Sequence, residues 1–182
     1  IIDNFRPPEF KEAWEIRVDK GNVAFGTAFN KWALSAPIMK KKHIGFKDIY
    51  DKCVAAEHKE LQQLAPLDDV ILEMAINNLP NPIEAQKYRI PVIWHGDTES
   101  AEGKAMINCD SKAPACFAIT AIQTDPHAGE VAVGRLYSGT ITKGTDLFLA
   151  SQFKKEKVQQ VAVYMGPDRI MVDNVPAGNI VA

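Results

Sequence analysis

The alternation of apolar and polar residues divides the chain into a helical first part and a strand-rich second part. Apolar side chains at helical spacing predict helices over residues 46–53, 57–64 and 66–79. Pro80 and Pro82 end the last of these helices, because proline cannot continue a helical hydrogen-bond ladder. We therefore predict a domain boundary within the sequence Leu-Pro-Asn-Pro at residues 79–82.

Beyond this boundary, short apolar stretches recur at roughly ten-residue spacing between Gly, Pro and Asp turns, which is typical of all-β domains. Residues 98–105 are predicted to form a polar loop. The predicted strands cover residues 90–94 (a strand or an extended link), 115–123, 130–138, 146–150, 158–164 and 179–182.

The clearest strand lies in GEVAVGRLYSGTITKG, residues 129–144. Both of its alternating faces are mostly apolar or small, so we expect neighbours on both sides, as in the wall of a small closed barrel. Gly134 in the middle of the strand indicates a bulge, a bend or a close backbone approach.

The sequence pattern predicts secondary structure less clearly in the first 35 residues. Residues 8–14 could form a short helix, and residues 15–25 read as a hairpin whose strands flank the turn sequence Asp-Lys-Gly-Asn. Gly26-Thr27-Ala28 breaks the second strand. The spacing of Phe29, Trp32 and Ala33 predicts that residues 29–34 are helical.

Composition and charge exclude several classes of protein. The formal net charge of −2 means that any RNA contact must come from a local patch, and it gives no support for DNA binding. The basic run Lys40-Lys41-Lys42 is read as solvent-facing, with contact to phosphate or RNA as a minor alternative. Three widely spaced cysteines indicate a reducing cytoplasm, and no apolar run is long enough to cross a membrane.

The sequence shows no recognisable catalytic or metal site. Its four histidines, His43, His58, His95 and His127, have no ligand partner at helical spacing. His127, in a predicted hairpin loop, is read as an ordinary exposed residue. The phosphate-binding loop GxxxxGK[ST] is missing from these residues, and so are the common hydrolase and dinucleotide motifs.

Several stretches resemble one family of translation factors. DPHAGEVAVGRLYSGTITKG, VAVYMGPDRI and AGNIVA resemble domain II of the elongation factor 2 family, archaeal type, and more distantly that of bacterial elongation factor G. NVAFGTAFNKWAL resembles the last strand and guanine-binding loop of the family's GTPase domain. LPNPIEAQKYRIP resembles the link between the two domains. The match is collinear over nearly the whole chain.

This resemblance implies a fold class: an α/β C-terminal part of a P-loop GTPase domain, over residues 1–82, followed by an all-β domain over residues 83–182. The second domain would be a small closed Greek-key β-barrel of the translation-factor type, truncated at its C-terminal end. The parent protein would be a ribosome-dependent GTPase that uses GTP or GDP with Mg²⁺ and moves tRNA and mRNA. The phosphate-binding machinery would lie before Ile1, so we expect this chain alone to be inactive.

The resemblance also implies one binding site, the loop Gly26-Thr27-Ala28, which would contact the guanine base in the full-length parent. The family has Ser where this chain has Thr27, which keeps the hydroxyl and adds a methyl group. The backbone N–H of Ala28 would donate to guanine O6. Adenine presents a donor at the same place, and two facing donors leave a buried polar group unpaired at a cost of about 1–3 kcal/mol.

Two other interpretations remain open at this point. The chain could be the barrel module of another translational GTPase, such as an initiation, release or ribosome-protection factor. It could also belong to a metabolic enzyme with an incidental barrel, although no paired base and nucleophile support that hypothesis. The ribosome, through its RNA and proteins, is the expected partner of the parent factor, and no membrane partner is expected.

Overall fold

A computed structural model describes residues 12, 15–125 and 129–182. The chain forms two compact units, residues 1–79 and 80–182. The predicted helix at residues 8–14 lies almost entirely outside the described residues, and so does the loop residue His127.

The first unit is built around one buried strand with helices packed on it. Its elements are β1 (Ala24–Thr27), β2 (Trp32–Ser35), α1 (Ala36–Lys42), α2 (Phe46–Val54), α3 (His58–Leu64) and α4 (Leu67–Asn78). Every residue of β2 is buried. The core around it contains Leu34, Leu61 and Val70, each at most 1% exposed. Burying one such side chain contributes about 1.5–3 kcal/mol.

The three predicted helices of this unit are confirmed as α2, α3 and α4, but their buried faces are narrower than the sequence pattern suggests. In α2 only Ile49 is fully buried, whereas Phe46 and Tyr50 are 61% and 69% exposed. In α4 only Val70 is fully buried. The apolar spacing therefore predicted the positions of the helices correctly. It predicted only in part which of their side chains are buried.

The predicted hairpin over residues 15–25 is wrong. The Asn22 side chain accepts a hydrogen bond from the Arg17 backbone N–H at 2.7 Å and donates to the Glu15 carbonyl at 2.7 Å. This side chain takes the hydrogen bonds that a strand ladder would have used, as Asn does in many turns. The predicted turn itself is present, over residues 18–21.

The predicted helix over residues 29–34 is also wrong. Residues 28–31 form a turn, in which the Lys31 N–H donates to the Ala28 carbonyl at 3.2 Å. β2 follows and pairs antiparallel with β1, with Ala24 opposite Ser35 and Thr27 opposite Trp32. Phe29 is 93% exposed, so the apolar spacing from Phe29 to Trp32 did not mark a packed face.

The second unit contains two helices followed by nine strands among the described residues. The helices are α5 (Pro82–Ile93) and α6 (Ala101–Ile107). The strands are β3 (Cys116–Asp125), β4 (Gly129–Ser138), β5 (Thr140–Thr142), β6 (Asp146–Leu149), β7 (Lys154–Lys157), β8 (Ala162–Met165), β9 (Asp168–Met171), β10 (Asn174–Pro176) and β11 (Ile180–Val181).

Both helices contradict the sequence-based prediction of an extended segment at residues 90–94 and a loop at residues 98–105. Pro82 occupies the first turn of α5, and the Asn81 side chain caps it by accepting from the Glu84 N–H at 3.0 Å. The Ser100 hydroxyl caps α6 in the same way, accepting from the Gly103 N–H at 3.1 Å. Capping side chains therefore begin α5 and α6 in segments for which the sequence pattern had predicted a strand or a loop.

The strands pair into several small sheets. β3, β4 and β11 form a three-stranded antiparallel sheet with β4 in the middle, while β5–β10, β6–β7 and β8–β9 are two-stranded. The part of the chain that the structure describes contains no closed sheet, so it does not display the predicted closed barrel. The sheets share one apolar core formed by Leu136, Ile141, Val161, Val175 and Val181.

The central strand β4 confirms the prediction for residues 129–138. From Val131 to Ser138 every residue is buried or half-buried, so both faces are covered. A Cβ added at Gly134 would lie 1.9 Å from the Ala118 carbonyl oxygen and 2.8 Å from the Ile119 Cα. β3 carries an irregularity in register directly beside this point, between Ile119 and Ala121. Gly134 is thus required by a close backbone approach.

We predict that Gly134→Ala lowers the thermal stability of the second unit. The added methyl group meets backbone rather than a movable side chain, and overpacking of this kind costs about 1–3 kcal/mol. Gly144→Asn is a matched control, because a Cβ there meets open space and Asn tolerates a positive φ. Differential scanning calorimetry of both variants checks this; an equal melting temperature for Gly134→Ala and the parent would contradict it.

Candidate functional site

The predicted guanine-binding loop lies at the end of the β1–β2 hairpin. Gly26 and Thr27 are the last residues of β1, and Ala28 begins the turn that leads to β2. Ala28 is exposed, and its carbonyl accepts from the Lys31 N–H. The hairpin therefore presents Ala28 to solvent on a short turn that is anchored by paired strands.

Gly26 and Thr27 both have structural roles in the hairpin, and the sequence did not reveal the one at Gly26. A Cβ at Gly26 would lie 2.5 Å from the Trp32 carbonyl oxygen and 2.6 Å from the Ala33 Cα, so the facing strand excludes any larger residue. The Thr27 hydroxyl accepts from the Asn30 N–H at 3.4 Å. Thr27 thus braces the turn through its oxygen, which Ser would also supply.

The basic run lies in the last turn of α1 rather than in a loop. Lys40, Lys41 and Lys42 are all exposed, which confirms that the segment faces solvent. Lys41 approaches Glu73 of α4 at 3.9 Å, with its side chain 67% exposed. Positive charge at the end of a helix also interacts favourably with the helix dipole. Lys41 thus has a contact within the first unit, whereas Lys40 and Lys42 are placed only by their position in the last turn of α1.

The segment that resembles the interdomain link folds as α5, and its most buried polar residue is Gln86, which is 1% exposed. The Gln86 side-chain nitrogen donates to the Met106 carbonyl of α6 and, at 3.0 Å, to the Tyr137 carbonyl of β4. Gln86 therefore joins three elements of the second unit through one amide. Sequence reasoning missed it, because a lone Gln between charged residues gives no sign of burial.

The described residues contain no group of three or more His, Cys, Asp or Glu side chains that could hold a metal ion. Burial raises the pKa of the Cys109 and Cys116 thiols, and Arg135 opposes this effect at Cys109. A raised pKa leaves less thiolate at neutral pH, so neither cysteine resembles an activated nucleophile. No helix within the described ranges combines the length and hydrophobicity needed to cross a bilayer.

Comparison with known proteins points to one family. The family described as Elongation factor G domain 2 matches residues 114–182. Elongation factor 2 of Thermococcus kodakarensis is 52% identical over all 182 residues of the chain, which correspond to 25% of that protein. The elongation factors 2 of Picrophilus torridus and Methanocaldococcus jannaschii are 53% and 51% identical over the same span. The chain covers about a quarter of the length of these relatives, 25% in each case.

We predict that Gln86→Leu destabilises the second unit. The change removes two buried hydrogen bonds, each with a net contribution of about 0.5–1.5 kcal/mol, and lowers the midpoint of urea unfolding. Gln159→Leu, at an exposed position of the same unit, is the control and should change the midpoint little. Equal midpoints for the two variants would show that the Gln86 bonds contribute nothing.

We predict that replacing Lys40, Lys41 and Lys42 together by Ala leaves the fold intact. Exposed positions usually change stability by no more than about 0.5 kcal/mol each, and exposed ion pairs contribute little. Circular dichroism melting measures the effect, with the triple Arg variant as a control that keeps the charge. A clearly lower melting temperature for the triple Ala variant than for the triple Arg variant would show that the lysine charges stabilise the fold.

Proposed function

The chain belongs to the elongation factor 2 family, and from this we propose that it works as part of a ribosome-dependent GTPase that moves tRNA and mRNA during protein synthesis. The observation that carries the proposal is the identity of about one half, 52% with the Thermococcus protein, maintained over the entire chain. The same observation disfavours the barrel module of a different translational GTPase, because the similarity is not confined to residues 114–182.

We propose that residues 1–82 form the C-terminal part of the GTPase domain and residues 83–182 most of domain II. The division into compact units at residues 79 and 80 supports a boundary in this region. For domain II we propose a closed Greek-key barrel in the full-length factor. Its support is the shared core of the small sheets and the groove between them, which is lined by Phe117 and Ile141 and also by Val181 and Ala182.

The proposed ligands of the factor are GTP and GDP with Mg²⁺, and the proposed contribution of this chain is the guanine loop Gly26-Thr27-Ala28. Its geometry is compatible with a planar base: Ala28 is exposed, and Gly26 lets the two strands pack closely beneath the turn. The loop is braced by the Thr27 hydroxyl, so its backbone donor would be held in place before the base arrives.

The proposed setting is the cytoplasm, with ribosomal RNA and ribosomal proteins as partners of the full-length factor. Free thiols at Cys53, Cys109 and Cys116 are compatible with a reducing compartment. Among the described residues we find no cluster suited to a catalytic metal. Because the chain spans only 25% of the Thermococcus protein, we propose that the phosphate contacts and the hydrolytic step belong to other parts of the full-length factor.

The guanine loop is tested in the full-length factor by Ala28→Pro, which removes the backbone N–H, against Ala28→Ser, which keeps it. One hydrogen bond contributes about 0.5–1.5 kcal/mol, so the affinity for GDP should fall roughly 2- to 12-fold in the proline variant alone. If the two variants bound GDP with equal affinity, the Ala28 N–H would not contact the base. Ribosome-stimulated GTP hydrolysis by the unaltered factor tests the overall proposal.

We predict that the isolated chain binds GDP too weakly to detect. One or two hydrogen bonds from the loop contribute about 0.5–1.5 kcal/mol each, whereas even millimolar affinity needs about 4 kcal/mol. Isothermal titration calorimetry with GDP and Mg²⁺ makes the measurement, with the full-length factor as the positive control. A micromolar dissociation constant for the chain would reveal a phosphate site within it.

A further inference from the structure

The hairpin of β6 and β7 carries an unusual solvent face. Phe148 of β6 lies directly opposite Lys155 of β7, and Asp146 lies opposite Lys157. Since side chains alternate across a strand, these four residues share one face, and all four are exposed. The other face carries Leu147 and Leu149, which are partly buried. The hairpin thus partly buries its aliphatic side chains and exposes an aromatic ring opposite Lys155, with Asp146 and Lys157 next to them on the same face.

A second aromatic ring lies at the tip of the same hairpin. Phe153 is 84% exposed and packs edge-on against Phe148, which is 59% exposed, with 6.4 Å between ring centroids and an angle of 73°. The backbone of Phe153 has φ +51°, in the left-handed region that bulky residues rarely adopt. A strained backbone that holds a large apolar ring in water does not improve the packing of this unit. Strained backbone conformations of this kind are often found at functional sites.

The charge of the hairpin differs from that of the whole chain. The hairpin, residues 146–157, contains three lysines, one aspartate and one glutamate and so has a formal net charge of +1, while the chain has a formal net charge of −2. Lys154 forms an ion pair with Glu156 at 2.6 Å. Lys155 and Lys157 have no ion-pair partner within the described ranges, and both lie on the face of Phe148.

We propose that this face, defined by Phe148, Phe153, Lys155 and Lys157, binds unpaired RNA in the ribosome, with bases stacked on the rings and phosphates contacting the two lysines. Exposed aromatics beside unpaired cations are typical of surfaces that bind single-stranded RNA. Phe is common at protein–protein interfaces as well, but lysine is depleted there, so the two lysines beside the rings are what favours RNA over a protein partner. The inference rests on the proposed function, which supplies the ribosome as the partner.

The test is fluorescence anisotropy of the chain with a labelled unstructured oligonucleotide RNA and with an RNA duplex of equal length. Removal of a stacked ring should weaken binding to the unpaired RNA about 5-fold or more. The key variant is Phe153→Asn, because Asn accepts a positive φ and the loss of the ring relieves the backbone. We expect an unchanged or higher melting temperature together with weaker RNA binding, whereas Phe153→Trp should retain binding.

The lysines are tested by Lys155→Ala with Lys157→Ala, matched against Lys87→Ala with Lys112→Ala, which removes the same charge from exposed positions outside the hairpin. Each lost phosphate contact should reduce the slope of log K against log salt by about 0.7 in the first pair alone. Equal effects of the two pairs, equal affinity for duplex and unpaired RNA, or full binding by Phe153→Asn would each overturn the inference. None of these results bears on the proposed function, because that function is tested separately by ribosome-stimulated GTP hydrolysis in the full-length factor.

Discussion

One buried amide joins three elements of the second unit. Gln86 of α5 donates to backbone carbonyls at the end of α6 and near the end of β4, and its side chain is withdrawn from water. A buried amide without partners is costly, so its two donors fix the distance of α5 from both neighbours. The segment between the helical and the strand-rich parts of the sequence is thus a helix docked on the sheet through polar contacts.

The same sheet imposes a second constraint at Gly134. The approach of β3 leaves no room for a Cβ, and the irregular register of β3 beside it accommodates the contact. Ser138, four residues further along β4, is 1% exposed and its hydroxyl donates to the Pro114 carbonyl at 2.8 Å. β4 is therefore held by the close approach at Gly134, by the Ser138 hydrogen bond and by the core around Leu136.

The two surfaces with a proposed role are built in opposite ways. The guanine loop is small, braced and polar, and its proposed contact is made by the backbone. The β6–β7 hairpin is aromatic and basic, and its proposed contact is made by side chains that have no role in the core. A short turn braced by Thr27 suits recognition of one base, whereas exposed rings suit stacking without base selection.

The sequence by itself determined the helices of residues 46–79, the strand β4 and the resemblance to a translation-factor family, because each of these is recorded in local periodicity or in a long collinear match. It marked Gly134 as special, but only the approach of β3 shows why a Cβ does not fit there. It also placed Gly26-Thr27-Ala28, the proposed guanine loop, at the end of a strand. Only the tertiary structure decided that β1 pairs with β2 rather than with an upstream strand, that residues 82–93 are helical and that Gln86 is buried. These features depend on partners distant in sequence, such as the Tyr137 carbonyl for Gln86, and no local pattern specifies which distant group will satisfy a hydrogen bond.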